Sequence, residues 1–230
     1  MFGMNIGYMV IAGLTSLVGM WVSGRLKSKF QEYSQIRLRN GMSGKDVAEA
    51  MLKYYNINDV QVVSVEGFLS DHYNPANKTV NLSPDVFAGQ SIASAAVAAH
   101  ECGHAVQHAT AYSMLQLRSA IVPVVNIASM SLQWLMMIAF MLINTMPQIM
   151  LITIVAFGLT TAFSLITLPV EFDASRRALV WLDQSNVTQS EEHAGAKDAL
   201  WWAAMTYVSA ALSSLIMLIY LILQYNSRRD

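Results

Sequence analysis

Two histidines and a glutamate lie together in the segment His100-Glu101-Cys102-Gly103-His104, the pattern HExxH. On a helix, positions four apart are separated by about 40° around the axis and one turn along it, so both imidazoles face the same way. Two such rings can bind one tetrahedral zinc ion at about 2.0–2.1 Å, and the adjacent Glu101 can act as a general base. The pattern predicts a catalytic metal site. The plainer alternative is two solvent-facing histidines with a solvated glutamate between them.

A catalytic zinc ion needs a third protein ligand and keeps a fourth position for water. His108 is a candidate, but it would lie about 12 Å from His100 along a straight helix, too far to share an ion. The stronger candidate is Glu171, the first charged residue after a long uncharged run that follows Arg118. The alternative for Glu171 is an interfacial carboxylate paired with Arg118 or with a nearby arginine.

Helices and short strands must position these residues. Ser91 is expected to cap an alanine-rich helix that carries the HExxH pattern and runs to about Thr110. An earlier helix would begin after Ser43, which with Asp46 resembles a capping box.

Two β-type runs, 60–65 and 79–82, predict a small β-hairpin or ribbon, because the turn-rich residues 71–77 separate them. The second run directly precedes the HExxH helix. We therefore hypothesise that it is an edge strand that pairs with extended substrate.

Three uncharged stretches are long enough to cross a bilayer, since a spanning helix needs about 20 apolar residues, and the longest of them is long enough to cross twice. We predict transmembrane helix 1 at 4–22, a transmembrane hairpin at 119–168 and transmembrane helix 4 at 203–223, with polar segments at 24–118 and 169–202. Within the hairpin, spans at 119–143 and 148–168 would be joined through Asn144–Pro147, because proline suits the first turn of a new helix. Such a hairpin returns Glu171 to the membrane side that carries the HExxH helix.

The positions of lysine and arginine predict the orientation, because cytoplasmic flanks are enriched in both. If four spans alternate, one side of the membrane carries Arg25, Lys27, Lys29, Arg37, Arg39, Arg118, Arg176, Arg177 and Lys197. Arg228 and Arg229 would lie on the other side, against this trend. The pattern predicts that both polar segments face the cytoplasm.

Composition excludes several other classes of protein. Only 13% of the residues are charged, whereas soluble domains have about a quarter. The net charge of −1 argues against a nucleic-acid partner, which would require clustered basic residues. Cys102 is the single cysteine, so an intramolecular disulfide is excluded, and its helical position predicts that it packs away from the two histidines.

The order of HExxH, two spans and then Glu-Phe-x-Ala-x-Arg-Arg-Ala resembles the YugP-type neutral zinc metallopeptidases of bacteria. The likeness covers nearly the whole chain, including residues 69–73 and 78–83. More distantly, the chain resembles the HtpX-type membrane proteases, which have a glutamate ligand after a similar hairpin. The resemblance implies a gluzincin-like site in which His100, His104 and Glu171 bind one zinc ion and Glu101 is the base.

One position departs from the HtpX-type pattern. Those proteins have an aspartate where this chain has Ser175, which could hydrogen-bond a ligand histidine, but more weakly than a carboxylate. Asp173 is expected to pair with Arg177 instead.

The sequence as a whole predicts a mainly α integral membrane protein with four transmembrane helices and a small α+β, zincin-like cytoplasmic catalytic domain. We expect a multi-pass protein of a bacterial cell membrane that binds one catalytic Zn²⁺. It would hydrolyse peptide bonds of membrane or membrane-associated polypeptides with a zinc-bound water activated by Glu101. The donor for the oxyanion stays open among His193, Tyr207, His72 and Tyr73.

Two other functions fit the sequence less well. A catalytically silent zinc-binding membrane scaffold would prefer four protein ligands, often cysteines. A small transporter subunit would carry charged residues inside its spans, and the predicted spans contain none.

Overall fold

The computed structural model describes residues 6–67 and 70–227, which are mostly helical. The elements are α1 (Ile6–Ser34), α2 (Gly44–Tyr54), β1 (Gln61–Ser64), β2 (His72–Asn74), β3 (Thr79–Leu82), α3 (Pro84–Ala88), α4 (Ile92–Ala109), α5 (Ser113–Leu142), α6 (Pro147–Gln184) and α7 (Glu191–Asn226). Met4 and Asn5 of the first predicted span, Leu69, Arg228 and Arg229 lie outside the described residues.

Four of the described helices, α1, α5, α6 and α7, are long and apolar enough to cross a membrane. Their number agrees with the four predicted spans. As predicted, α6 begins at Pro147. Large apolar side chains on these helices are exposed, including Met130 at 80% and Ile127 at 72%, as expected for surfaces that face lipid rather than water.

The chain forms two compact units. The first, here called the helical unit, contains residues 6–22, 117–168 and 206–227 of the described chain. Its core is formed by Ala139, Ile143, Met150, Met217 and Leu221.

The second unit, here called the mixed unit, contains the described residues from 23 to 116 and residues 169–205. Helix α2 begins with the predicted capping box, in which Ser43 and Asp46 each bond the other's backbone N–H. The Ser91 side chain caps α4 by accepting from the Ser94 N–H. Small side chains let α4 pack closely with its neighbours, and Ala95, Ala96, Ala98 and Ala99 are fully buried.

The three-stranded sheet differs from the predicted hairpin. Its order is β1-β3-β2, with β1 parallel to β3 and β2 antiparallel to β3. Strand β2 lies inside the segment 71–77, which the sequence predicted to be a turn. The turn is shorter than predicted: it begins after Asn74 and ends at Lys78, whose φ is 55°. The residues of β2 include no β-branched side chain, which is the signal that marked the other two strands.

The same strand order shows that the predicted edge strand was wrong. Strand β3 has a hydrogen-bonded neighbour on each side, so its backbone has no free edge for a substrate. Val80 and Leu82 are fully buried, as expected for a central strand. The free edges of this sheet belong to β1 and β2.

Candidate metal centre

Helix α4 carries the HExxH segment, as predicted, and it belongs to the mixed unit. The His100 and His104 rings lie on one face with their centroids 4.8 Å apart and their planes at 84°. This is the arrangement expected for imidazoles one helical turn apart. The two side chains are 13% exposed, so they are mostly shielded from water.

Glu171 on α6 completes a cluster with these two rings. Its Oε2 atom lies 3.3 Å from His100 Nε2 and 3.6 Å from His104 Nε2. One ligand atom from each of the three residues falls within 4.8 Å of the other two. The ion-pair contacts of Glu171 within the described chain are with these histidines and not with an arginine, in contrast to the alternative weighed from the sequence.

The donor set and its electrostatics fit a metal ion. Glu171 is 3% exposed, and its Oε2 has no correctly aligned hydrogen-bond donor among the described residues. A buried carboxylate oxygen in that state is costly unless a cation neutralises it. Two imidazole nitrogens and one carboxylate oxygen are the donors that catalytic zinc sites use, with one position left open.

The pKa values of this cluster follow from its burial and charges. Burial alone would raise the pKa of Glu171, but the His100 and His104 nitrogens at its oxygen hold that pKa well below its ordinary value. For His104, burial alone would lower the pKa, but the nearby Glu171 and Glu101 carboxylates raise it above the ordinary value. The cluster therefore favours a charged carboxylate facing a cation.

A glycine that sequence reasoning missed allows α4 and α6 to come this close. A Cβ on Gly103 would lie 2.5 Å from the carbonyl oxygen of Ala174, a separation that atoms do not tolerate. Gly103 lies within the HExxH segment, and Ala174 lies between Glu171 and Ser175. The missing side chain therefore permits the contact that brings the three ligand atoms together.

Two further side chains bond the outer nitrogens of the histidines. Ser175 Oγ lies 3.0 Å from His100 Nδ1. This is the hydrogen bond to a candidate ligand histidine that the sequence suggested for Ser175. Gln107 Oε1 lies 3.0 Å from His104 Nδ1, a contact that no sequence signal had indicated. Asp173 pairs with Arg177, as predicted, and it also pairs with Arg176.

Glu101 points toward the sheet. Its Oε2 accepts a hydrogen bond of 3.0 Å from the backbone N–H of Tyr73 in β2. The Glu101 side chain is largely buried, at 9% exposed. The edge strand β2 therefore fixes one oxygen of this carboxylate.

His108 is exposed and lies outside the cluster, and its Nδ1 is 3.0 Å from the Tyr73 hydroxyl. Cys102 is buried with its Sγ 3.6 Å from the Ala48 carbonyl oxygen, so it packs away from the histidines as predicted. Of the four candidate oxyanion donors, Tyr73 bonds Glu101 directly through its backbone. His193 instead lies beside the Thr188 hydroxyl, and His72 beside the Ser70 carbonyl.

Four helices long and apolar enough to cross a membrane, together with a largely shielded His-His-Glu cluster, are the features of a multi-pass membrane protein with a site that could hold a metal ion. The chain belongs to the family described as "Putative neutral zinc metallopeptidase", whose model matches residues 8–226. It is 39% identical over 223 residues to the "Putative membrane protease YugP" of Bacillus subtilis (strain 168), with 97% of each chain covered. No solved structure gives a significant match.

Proposed function

We propose that this protein is a zinc metalloendopeptidase that cleaves membrane or membrane-associated polypeptides. His100, His104 and Glu171 are the ligands of one Zn²⁺, and Glu101 is the general base. The observation that carries this proposal is the meeting of three ligand atoms around a buried Glu171 oxygen that has no aligned donor. Membership of a zinc metallopeptidase family supports the same reaction class.

The reaction would be hydrolysis of a peptide bond. When bound, zinc supplies a Lewis acid that polarises the scissile carbonyl and lowers the pKa of water. Glu101 removes a proton from the attacking water as the new C–O bond forms. Glu101 then passes that proton to the leaving nitrogen as the C–N bond breaks, so no other co-reactant is needed.

Substrate would bind along the free edge of β2 rather than β3. Strand β2 has a neighbour on one side only, and its Tyr73 N–H already bonds Glu101. The Tyr73 N–H is therefore not available to a substrate, but an extended peptide beside this strand would pass next to the general base and could bond other backbone groups of the edge.

We also propose that the mixed unit is a zincin-like catalytic domain in the cytoplasm of a bacterial cell. The basic residues near the predicted spans favour that side of the membrane. The test of this cytoplasmic assignment uses a Cys102→Ala variant, which has no native cysteine, with Glu49→Cys introduced in the mixed unit. The new cysteine is then labelled in intact cells. Reaction of the Glu49 position with a membrane-impermeant maleimide in intact cells would contradict it.

The alternative of a silent zinc scaffold is less well supported. The metal cluster of the described residues has three candidate ligands, whereas structural zinc sites are closed by four. Three ligands leave room for water and substrate, which is the arrangement a hydrolase needs.

The deciding experiment compares wild type with Glu101→Gln after purification in detergent, by zinc content and by cleavage of casein and peptides. We expect both proteins to hold about one zinc per chain, because Glu101 is not a ligand. Cleavage should fall by about 10²–10⁴-fold in the variant, which has lost its base. Glu49→Gln is the matched control, since Glu49 is exposed on α2 and pairs with Lys45. Equal cleavage by Glu101→Gln and wild type would refute the proposal.

A further inference from the structure

Gln107 is a fully buried amide whose donors are both occupied. Its Nε2 donates to the Val170 carbonyl oxygen at 2.8 Å and to Asp173 Oδ2 at 3.0 Å. The side chain is 0% exposed, so water does not compete for these bonds. Both partners are oxygen atoms that can only accept, which places the NH₂ group of Gln107 on their side.

This orientation determines what His104 meets. If the amide were turned over, its oxygen would face the Val170 and Asp173 oxygens with no proton between them. In the observed orientation, Gln107 Oε1 faces His104 Nδ1 at 3.0 Å. Because an amide oxygen can only accept, the proton of this contact belongs to His104 Nδ1.

The Gln107 amide is held in place by Asp173, which is itself paired with two arginines. Asp173 is 7% exposed and accepts from Arg176 through one oxygen and from Arg177 through the other. The Arg177 guanidinium in turn lies over the Tyr112 ring. Asp173 is therefore held as a charged acceptor, which is the state that fixes Gln107.

The second histidine lacks such a constraint. The partner of His100 Nδ1 is the Ser175 hydroxyl, which can rotate to donate or to accept. Of the two outer contacts, only that of His104 determines which nitrogen carries the proton.

We propose that Gln107 is a positioning residue that holds the proton of His104 on Nδ1 and leaves Nε2 free to bind the ion. Asp173 acts through Gln107. This inference rests on the proposed function, in which His104 is a zinc ligand. Partners of this kind fix the ring orientation of a ligand histidine, and their loss typically costs about 10–100-fold in metal affinity.

The test measures zinc affinity by chelator competition and observes the ring N–H protons of ¹⁵N-histidine-labelled, zinc-loaded protein in detergent. We expect Gln107→Leu to lower zinc affinity by about 10–100-fold and to abolish the solvent protection of the His104 Nδ1–H signal. That signal is assigned by its absence from a His104→Gln variant. Ser175→Ala should alter the His100 signal and leave that of His104 protected.

Two variants separate positioning from packing. Gln107→Met fills a similar volume without the amide, so zinc affinity should fall as far as in Gln107→Leu. Thr188→Val removes a buried hydroxyl beside His193 in the same unit and should leave zinc affinity unchanged.

Three results would contradict either the role of Gln107 or the proposed function, and they can be told apart. Wild-type affinity and a protected His104 signal in Gln107→Leu would overturn the inference. Wild-type zinc affinity in Gln107→Met would also overturn it, because Gln107 would then act through packing. A wild-type protein that binds no zinc would instead refute the proposed function on which the inference rests.

Discussion

The backbone N–H of Tyr73 donates a 3.0 Å hydrogen bond to the Glu101 carboxylate, so an edge strand and the HExxH helix meet at the proposed general base. This N–H donates to the Glu101 side chain on α4 and therefore does not point at β3. The contact orients the carboxylate without using a side chain. A substitution that removes only this N–H therefore tests how much the orientation of Glu101 contributes to catalysis.

We expect Tyr73→Pro to lower kcat/KM for peptide cleavage by about 10–100-fold. A hydrogen bond to a charged group contributes about 1.5–3 kcal/mol, and each 1.4 kcal/mol is tenfold. Proline is tolerated on an edge strand where the N–H is outside the ladder. Tyr73→Ala is the matched control, since it keeps the N–H and loses the same side chain, including the hydroxyl contact with His108. Unchanged cleavage by the zinc-loaded proline variant would contradict this role.

Gly103→Ala should destabilise the protein and weaken zinc binding. Alanine normally favours a helix over glycine by about 1 kcal/mol. Here the new Cβ would meet the Ala174 carbonyl oxygen at 2.5 Å, so α4 and α6 would have to separate. Overpacking of this kind costs about 1–3 kcal/mol, measurable by thermal unfolding in detergent together with zinc content.

Gly24→Ala is the matched control for this substitution. Gly24 also lies in a helix, but a Cβ there would meet nothing within 4 Å. It should be neutral or slightly stabilising. Equal melting temperatures and zinc contents for the two variants would show that the close approach at Gly103 is unimportant.

His104 should make the stability of the metal-free protein and the extra stability given by zinc depend on pH in opposite directions. The pKa of His104 is raised in the folded, metal-free protein, so its stabilising contribution is complete below the unfolded value of about 6.5. That contribution is lost as pH rises through the folded pKa. The pKa of Glu171 is lowered, so its contribution is present above about 4.3 and is lost as pH falls through the folded value.

Zinc binding requires His104 without a proton on Nε2, so protons compete with the ion. We therefore expect the increase in melting temperature on adding zinc to grow from pH 5.5 to pH 8, while the stabilisation that His104 gives the metal-free protein declines. Thermal unfolding with excess chelator and with excess zinc measures both trends. A zinc-induced increase that is the same at both pH values would contradict the assignment of His104.

Cys102 should be unreactive in the folded protein although it lies inside the HExxH segment. It is fully buried, and burial raises the pKa of its thiol well above the ordinary value, so the nucleophilic thiolate is scarce. We expect no labelling by a maleimide in mild detergent and complete labelling after denaturation. Rapid labelling of the folded, zinc-loaded protein would mean that this face of α4 opens to solvent.

The local features of this protein follow from short stretches of sequence. The HExxH spacing places two imidazoles on one face of a helix, and the capping residues Ser43 and Ser91 determine where α2 and α4 begin. The length of the uncharged runs predicts four helices able to cross a membrane. These features were predictable because helical periodicity, caps and hydropathy depend on residues within a few turns of one another.

Only the tertiary structure decided which distant groups meet. It placed β2 at the edge of the sheet and β3 at its centre, contrary to the prediction. It also brought Gly103 against Ala174, and Gln107 between His104 and Asp173. Such contacts join residues more than 60 positions apart through the packing of α4 on α6, and a buried amide or a missing Cβ has no periodic signature in the sequence. The sequence determined the chemistry of the candidate ligands, whereas the packing of two helices determined their geometry.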